Sequence, residues 1–244
     1  MRLIYGAKSS VGCIRQNNQD AFYLPKEGDL PFFAVADGMG GTNGGEIASI
    51  LSISTVCTHL KDNIGSESDI ATVLRTAINQ ANRAIYRVGR IKSEYSRMGT
   101  TFTCAYLDGD IVCVAHVGDS RAYKYNNGAL RQITVDHSYV QELVNAGQIT
   151  MEEARTHPDR HKITRAVGVG GLINVDTFYE SVKDGDIYLL CSDGLTSMLS
   201  DAEISQIISH NVDNDPYDIA SALVKAAEYA GGHDNITVVI IKNN

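Results

Sequence analysis

The chain has 244 residues, of which 43% are hydrophobic and 20% charged, enough apolar material for a continuous core and no composition that reads as disordered. Its formal net charge of −8 excludes the basic footprint that a nucleic acid or an anionic membrane surface requires. Five cysteines without close pairing argue against a disulfide framework, and no run of about 18 apolar residues is present. A single domain over residues 1–244 in the reducing cytoplasm is expected.

Strands are predicted over Arg2–Ser9 and Ala21–Leu24. The apolar run Pro31–Ala36 predicts a short strand that ends at Asp37–Gly38 and delivers Asp37 to a turn. Two helices follow. The first has Ile50, Ile53, Cys57 and Leu60 on one face, and the second carries Ile70, Val73, Leu74, Ala77, Ile78, Ala81, Ile85 and Val88. Thr101–Leu107 and Ile111–Val117 are joined through Asp108–Gly109, and Arg121–Tyr125 is followed by Asn127–Gly128. Together they predict an antiparallel meander.

Ser138 with Gln141 predicts a capping box that opens a helix through Ala146, and the polar stretch Gln148–Lys162 reads as a surface excursion, so that 139–162 forms a flap. Ile187–Cys191 predicts a buried strand ending at Ser192–Asp193–Gly194. Asp215–Pro216 opens a helix with Ile219, Ala222, Leu223, Ala226 and Ala230 on its apolar face. Gly231–Gly232 stops that helix before the last strand, Ile236–Ile241. The elements do not alternate as in a parallel sheet. An α+β sandwich of mainly antiparallel sheets covered by helices is expected, with strand ends gathered at one edge.

Asp37, Asp193 and Asp234 each stand where an apolar run meets a small or polar turn. One Asp-Gly pair is an ordinary turn signal, but the repeated pattern points to carboxylates held at strand ends and facing a cleft. Such a cluster is repulsive unless cations are bound, and oxygen-only ligands favour Mg²⁺ or Mn²⁺ over zinc. Two such ions can hold a bridging hydroxide for in-line attack on a phosphate ester, without a side-chain nucleophile. A cysteine-based phosphatase is excluded, because no cysteine has an arginine six positions later. His157 and His161 have the spacing of a metal pair on a helix, but Pro158 stands between them.

Eight segments then occur in one order: Arg15-Gln16-Asn17-Asn18-Gln19-Asp20, Val35-Ala36-Asp37-Gly38-Met39-Gly40-Gly41, Gly99-Thr100-Thr101, Gly118-Asp119-Ser120-Arg121, Thr134-Val135-Asp136-His137-Ser138, Ile163-Thr164-Arg165-Ala166-Val167-Gly168, Ser192-Asp193-Gly194-Leu195 and Gly232-His233-Asp234-Asn235-Ile236-Thr237. In these the chain resembles, over nearly its whole length, the metal-dependent (PPM, type 2C) protein phosphatases in their compact bacterial single-domain form. The resemblance implies a four-layer αββα sandwich with a flap. It also implies that Asp37 bridges two cations, that the Gly38 carbonyl binds the first, and that Asp193 and Asp234 complete the second site. Asp119, with Asp193, would hold a third ion.

Arg15 would bind the substrate phosphate, as a planar guanidinium suits. Asp20 would accept from metal-bound waters, with Asn18 and Asn235 as further outer donors. The implied cofactors are Mn²⁺ or Mg²⁺, two core ions and a third. Some relatives have a metal-binding acid where Gln19 stands, and some have a histidine in place of Met39; a water on a cation is then expected to protonate the leaving group. The implied activity is one-step hydrolysis of phosphoserine and phosphothreonine in proteins, by a monomer acting opposite a Ser/Thr kinase. A phosphatase of small phosphoesters, or a non-catalytic regulatory module on the same fold, are the alternatives.

Overall fold

The computed structural model describes residues 3–41, 44–65, 69–91 and 93–243. In chain order the elements are β1 (Leu3–Ser10), β2 (Asp20–Tyr23), β3 (Phe32–Met39), α1 (Gly44–Asn63), α2 (Ile70–Ile91), β4 (Gly99–Thr100), β5 (Phe102–Asp108), β6 (Ile111–Val117), β7 (Arg121–Asn126), β8 (Ala129–Gln132), α3 (Tyr139–Asn145), α4 (Met151–Thr156), β9 (Asp176–Ser181), β10 (Ile187–Cys191), α5 (Asp193–Thr196), α6 (Asp201–His210), α7 (Pro216–Tyr229) and β11 (Ile236–Asn243). Arg2, expected to begin the first strand, lies outside the described residues.

Two antiparallel sheets stack, one in the order β1-β11-β10-β7-β8 and the other β2-β3-β5-β6-β9, with β4 beside β3. Their central strands are apolar on both faces because each face meets a different layer. On β3, Phe32, Ala34 and Ala36 face α1 and α2, while Phe33 and Val35 face the opposite sheet. On β11, Ile236, Val238 and Ile240 pack under α6 and α7, while Val239 and Ile241 turn inward. The pleat thus sorts one apolar run into two cores, and the layers read helix, sheet, sheet, helix.

Several expectations are corrected. β3 does not stop before Asp37: Gly38 and Met39 pair with Thr100 and Gly99, so Asp37 stands inside a strand. The meander is split between sheets, because β6 already has β5 and β9 on its two edges and β7 must pair with β10. In α1 the buried face is Ala48, Ser49, Ser52, Ile53, Val56 and Leu60, whereas Ile50 is 54% exposed. Small residues bring this helix close to β3, where Gly45 packs on Gly38, and the buried hydroxyl of Ser49 donates to the Gln19 carbonyl at 2.7 Å. In α7, Ala220, Val224 and Ala227 join Ile219 and Leu223 in the core, and Ala230 is the exposed C-cap.

The capping box expected at Ser138 is half formed. Ser138 accepts from the Gln141 amide, but the Gln141 side chain donates to Asn145 instead. Complete capping boxes occur at Thr150/Glu153 and Ser200/Glu203. The flap folds as α3 and α4, and its base is closed where the Tyr139 amide donates to the Lys162 carbonyl at 2.8 Å and Ser138 bridges Ile163. Among the described residues no helix is long and apolar enough to cross a membrane. All five cysteines are free, and Cys104, Cys113 and Cys191 are buried in strands.

Candidate active site

The two sheets end together at one edge, and the segments that leave them there carry the predicted acids. Asp37 and Gly38 lie on β3, with Asp20 on β2 directly opposite Asp37. Asp119 lies in the β6–β7 link, Asp193 opens α5 straight after β10, and Asp234 precedes β11. Arg15 comes from the β1–β2 loop. Asp37, Gly38, Asp119, Asp193, Asp234 and Arg15 line one open cleft of about 650 Å³.

Buried hydroxyls and amides fix these positions. The Asp37 amide donates to Thr101 Oγ1 at 2.9 Å, the Thr101 amide returns a bond to the Asp37 carbonyl at 2.8 Å, and Thr101 Oγ1 lies 2.7 Å from Ser120 Oγ. One hydroxyl chain therefore links the backbone of Asp37 to the residue after Asp119. Asn235 clamps the β1–β2 loop: it accepts from the Gln19 amide at 2.8 Å and donates to the carbonyls of Val11 and Asn17 at 3.0 and 2.9 Å. Asn18 lies outside the cleft lining, its amide donating to Ser9 Oγ and its carbonyl oxygen accepting from the Asp20 amide. Gln19 donates to the Gly41 carbonyl at 2.6 Å.

His137 holds the Asp119 loop from behind. Its backbone amide donates to the Gly118 carbonyl at 2.7 Å, and the Gly118 amide donates to its Nδ1 at 3.0 Å. With Nδ1 an acceptor, the neutral ring must carry its proton on Nε2, which donates to Asp176 Oδ2 at 3.1 Å. Arg165 Nη1 also approaches that Nε2 at 2.9 Å, but two donors cannot bond, so its bond is the one to Asp176 Oδ1 at 2.8 Å. Neither this positioning set nor the Thr101–Ser120 pair is marked by local pattern. Thr101, Ser120, His137 and Arg165 fall inside the ordered segments, whereas Asp176, on β9, falls outside them.

Electrostatically the cleft is under tension. Burial, and then the charges of Asp20, Asp193, Asp119 and Asp234, push the Asp37 carboxyl well above the usual range. Asp119 is pushed up by burial and by Asp193 and Asp136, and Asp193 by burial and by Asp234. Burial raises Asp20 to about 7, although Ser192 Oγ donates to its Oδ2 at 2.7 Å. Its other oxygen, Oδ1, is buried with no hydrogen-bond partner. Arg15 Nη2 donates to Asp234 Oδ2 at 2.8 Å, with side chains 55% and 37% exposed.

Four carboxylates in one cleft and an orphaned oxygen on a fifth, Asp20, fit hard divalent cations, which neutralise such a set and take oxygen ligands. Among the described residues no three Asp, Glu, His or Cys side chains already form a tight coordination cluster. The acids instead share the walls of a wide cleft. His157 and His161 do not form a pair: His157 caps the end of α4, while His161 reaches the cleft.

Close backbone approach is as important here as charge. A Cβ on Gly194, next to Asp193, would collide with the Asn235 carbonyl oxygen, next to Asp234. Gly194→Ala is expected to cost roughly 1–3 kcal/mol, as overpacking does, read as a lower melting temperature together with weakened activity. A variant as stable and active as the parent would refute this contact.

Comparison with known proteins gives a consistent picture. The protein phosphatase 2C family model matches residues 14–223. A serine/threonine phosphatase Stp from Listeria innocua is 37% identical over 241 residues, covering 97% of this chain and 94% of that one. The serine/threonine protein phosphatase PstP of Mycobacterium tuberculosis is 38% identical over 98% of this chain, which spans 44% of that longer protein. A crystal structure of the Mycobacterium tuberculosis phosphatase PstP/Ppp superposes with a TM-score of 0.90 at 37% identity, covering 99% of both chains. A structure of the PstP catalytic domain with two manganese ions gives a TM-score of 0.86 at 36% identity over 98% of this chain and 97% of that one.

Proposed function

The chain belongs to the protein phosphatase 2C family and is a protein serine/threonine phosphatase; from that premise we propose that it works as one domain in which Asp37, the Gly38 carbonyl, Asp193 and Asp234 hold two divalent cations, and Asp119 with Asp193 a third. The single observation that carries this assignment is the convergence of these acids, distant in sequence, on one cleft in which burial and neighbouring acids oppose the ionisation of Asp37, Asp119 and Asp193. Mn²⁺ or Mg²⁺ bound there would supply an activated water and neutralise phosphoryl charge.

The remaining work falls to the chain's own residues. Arg15 sits at the rim, exposed and tied to a single carboxylate oxygen of Asp234, so it can exchange that partner for phosphate oxygens. Asp20, paired across the strands with Asp37, is buried and keeps its Oδ1 free to accept a hydrogen bond, as from a metal-bound water. Met39 lines the cleft and has no proton to give, so the leaving alkoxide takes its proton from solvent in the cleft. Gln19, an amide bonded to Gly41, is read as a wall residue and not a ligand. The reading extends to a cytoplasmic monomer that opposes a Ser/Thr kinase, supported by the three buried, free cysteines and the bacterial relatives.

The test is hydrolysis of a phosphothreonine peptide with Mn²⁺, after chelation, and after Mn²⁺ is restored. The rate should fall by about 10²-fold or more with chelator and recover with the metal. Equal rates with and without chelator would remove the metal assignment. Turnover of sugar phosphates and nucleotides with none of phosphopeptides would replace the protein substrate with a small ester.

A further inference from the structure

A second recess, of about 100 Å³, lies between the flap and the core and opens into the catalytic cleft, since Asp119, Arg160, His161, Asp193 and Ser197 line both. It has room for about three water molecules, the size of one carboxylate or phosphoryl group. We infer that this recess, walled by Arg155 and Arg160, is a subsite for an anionic group carried by the substrate close to its phosphorylated residue. This deepens the phosphatase reading of the adjoining cleft and rests on it.

The argument is one of charge matching. Of the cations in the recess, Arg121 is already answered by Asp136, which takes three of its N–H···O contacts at 2.7–3.0 Å. Lys162, at the flap base, is paired with Asp159 at 2.9 Å. Among the described residues Arg155 and Arg160 make no ion pair. Arg160 Nη1 meets the His157 carbonyl at a long 3.5 Å. The carboxylate that feels Arg155, Glu203, has its Oε2 engaged by the amide and hydroxyl of Ser200. Asp119 and Asp193 face the same recess, but in the proposed site their charge is balanced by cations.

Two guanidiniums are thus left facing a small recess beside the phosphate, on a chain whose net charge is −8. Guanidinium groups bind carboxylates and phosphates through paired donors, and both of these arginines are exposed, so that they can reach a group entering the recess. Val140, Met151 and Ala154 provide an apolar base that suits the stem of a glutamate or the methyl of a phosphothreonine. A basic wall next to an acidic, metal-holding floor also orients a phosphopeptide, because only one direction of the chain places its second anion on the flap side.

The experiment uses phosphothreonine peptides that carry alanine, glutamate or a nonhydrolysable phosphonate at each of three positions on either side. For the parent enzyme kcat/KM should be roughly three- to tenfold higher for an anion at the favoured position than for alanine. Preference for phosphonate alone assigns the recess to a second phosphoryl group, and preference for both assigns it to anions in general. Arg155→Gln should lower that ratio, and Arg155→Gln with Arg160→Gln should remove it, while Arg155→Gln leaves aryl phosphate hydrolysis unchanged. Equal kcat/KM for all flanks in the parent, or a ratio that survives the double replacement, would overturn the subsite while leaving the phosphatase reading intact. No hydrolysis of any phosphopeptide would overturn both.

Discussion

Asp37→Asn should abolish turnover and at the same time make the metal-free protein more stable. With Asp37 as the proposed shared ligand, its loss would remove several kcal/mol of transition-state stabilisation, so activity with Mn²⁺ should fall about 10³-fold or more. The stability gain follows from the sign of the perturbation. A carboxyl whose ionisation the fold opposes, as burial and four neighbouring acids oppose that of Asp37, costs stability at any pH above its unfolded value. A neutral amide of the same shape removes that cost. The gain should be on the order of 1 kcal/mol, the usual scale for relieving a functional site, or roughly 2–4 °C in Tm for a chain of this size. Saturating Mn²⁺, at a hundredfold over Kd, should stabilise the parent by about 2.7 kcal/mol and the variant far less. Thermal melts in chelator and in Mn²⁺ check all three. A variant less stable than the parent in chelator, or one that keeps Mn²⁺-dependent activity, would contradict the placement of Asp37.

Arg121→Met should be the most destabilising single change near the site. Arg121 binds both oxygens of Asp136 and donates to the Tyr123 hydroxyl at 3.0 Å, with side chains 17% and 10% exposed for the ion pair. Removing the cation strands a mostly buried carboxylate, which typically costs 3–5 kcal/mol, or about 10 °C in Tm here. The double variant Arg121→Met with Asp136→Leu should recover part of the loss, because no charge is then left uncompensated. Equal losses in the single and double variants would show that the pair contributes through packing alone. The pair stands directly behind Asp119, so the single variant should also lose activity at temperatures where it is folded.

Periodicity and turn chemistry made much of this fold legible. Phe32–Ala36, Ile111–Val117 and Ile236–Ile241 are apolar on both faces because they are central strands between two layers, and the Asn127–Gly128 hairpin follows from the φ of +50° and +83° at those residues. Legibility failed where the decisive partner was remote. Nothing local says that Gly38–Met39 will pair with Gly99–Thr100, that β7 will find the opposite sheet, or that α1 will bury serines and alanines while leaving Ile50 in water. The half-buried strand β9 and the helix α6 escaped notice, although α6 announces itself through Ser200 and Glu203.

The site divides in the same way. The acids Asp37, Asp193 and Asp234 were readable from their shared setting where an apolar run meets a small or polar turn, although Asp37 stands within β3, and Arg15, Asp119 and Asp20 from the order of the segments around them. Asn235 emerges as a clamp on the backbone of a distant loop, and Asn18 as a link from the Ser9 hydroxyl to the Asp20 amide. The His137–Asp176–Arg165 set behind Asp119, and the two arginines on the flap side, depend on contacts between residues far apart in the chain.

The claim on which the account rests is that aspartates from separate segments of the chain share divalent cations at the sheet edge. Anomalous diffraction from crystals grown with Mn²⁺ tests it most directly. The account predicts manganese peaks within coordination distance of Asp37, the Gly38 carbonyl, Asp193 and Asp234, with any further ion beside Asp119. Peaks confined to other surfaces, with the cleft acids bonded to water and to one another, would contradict it.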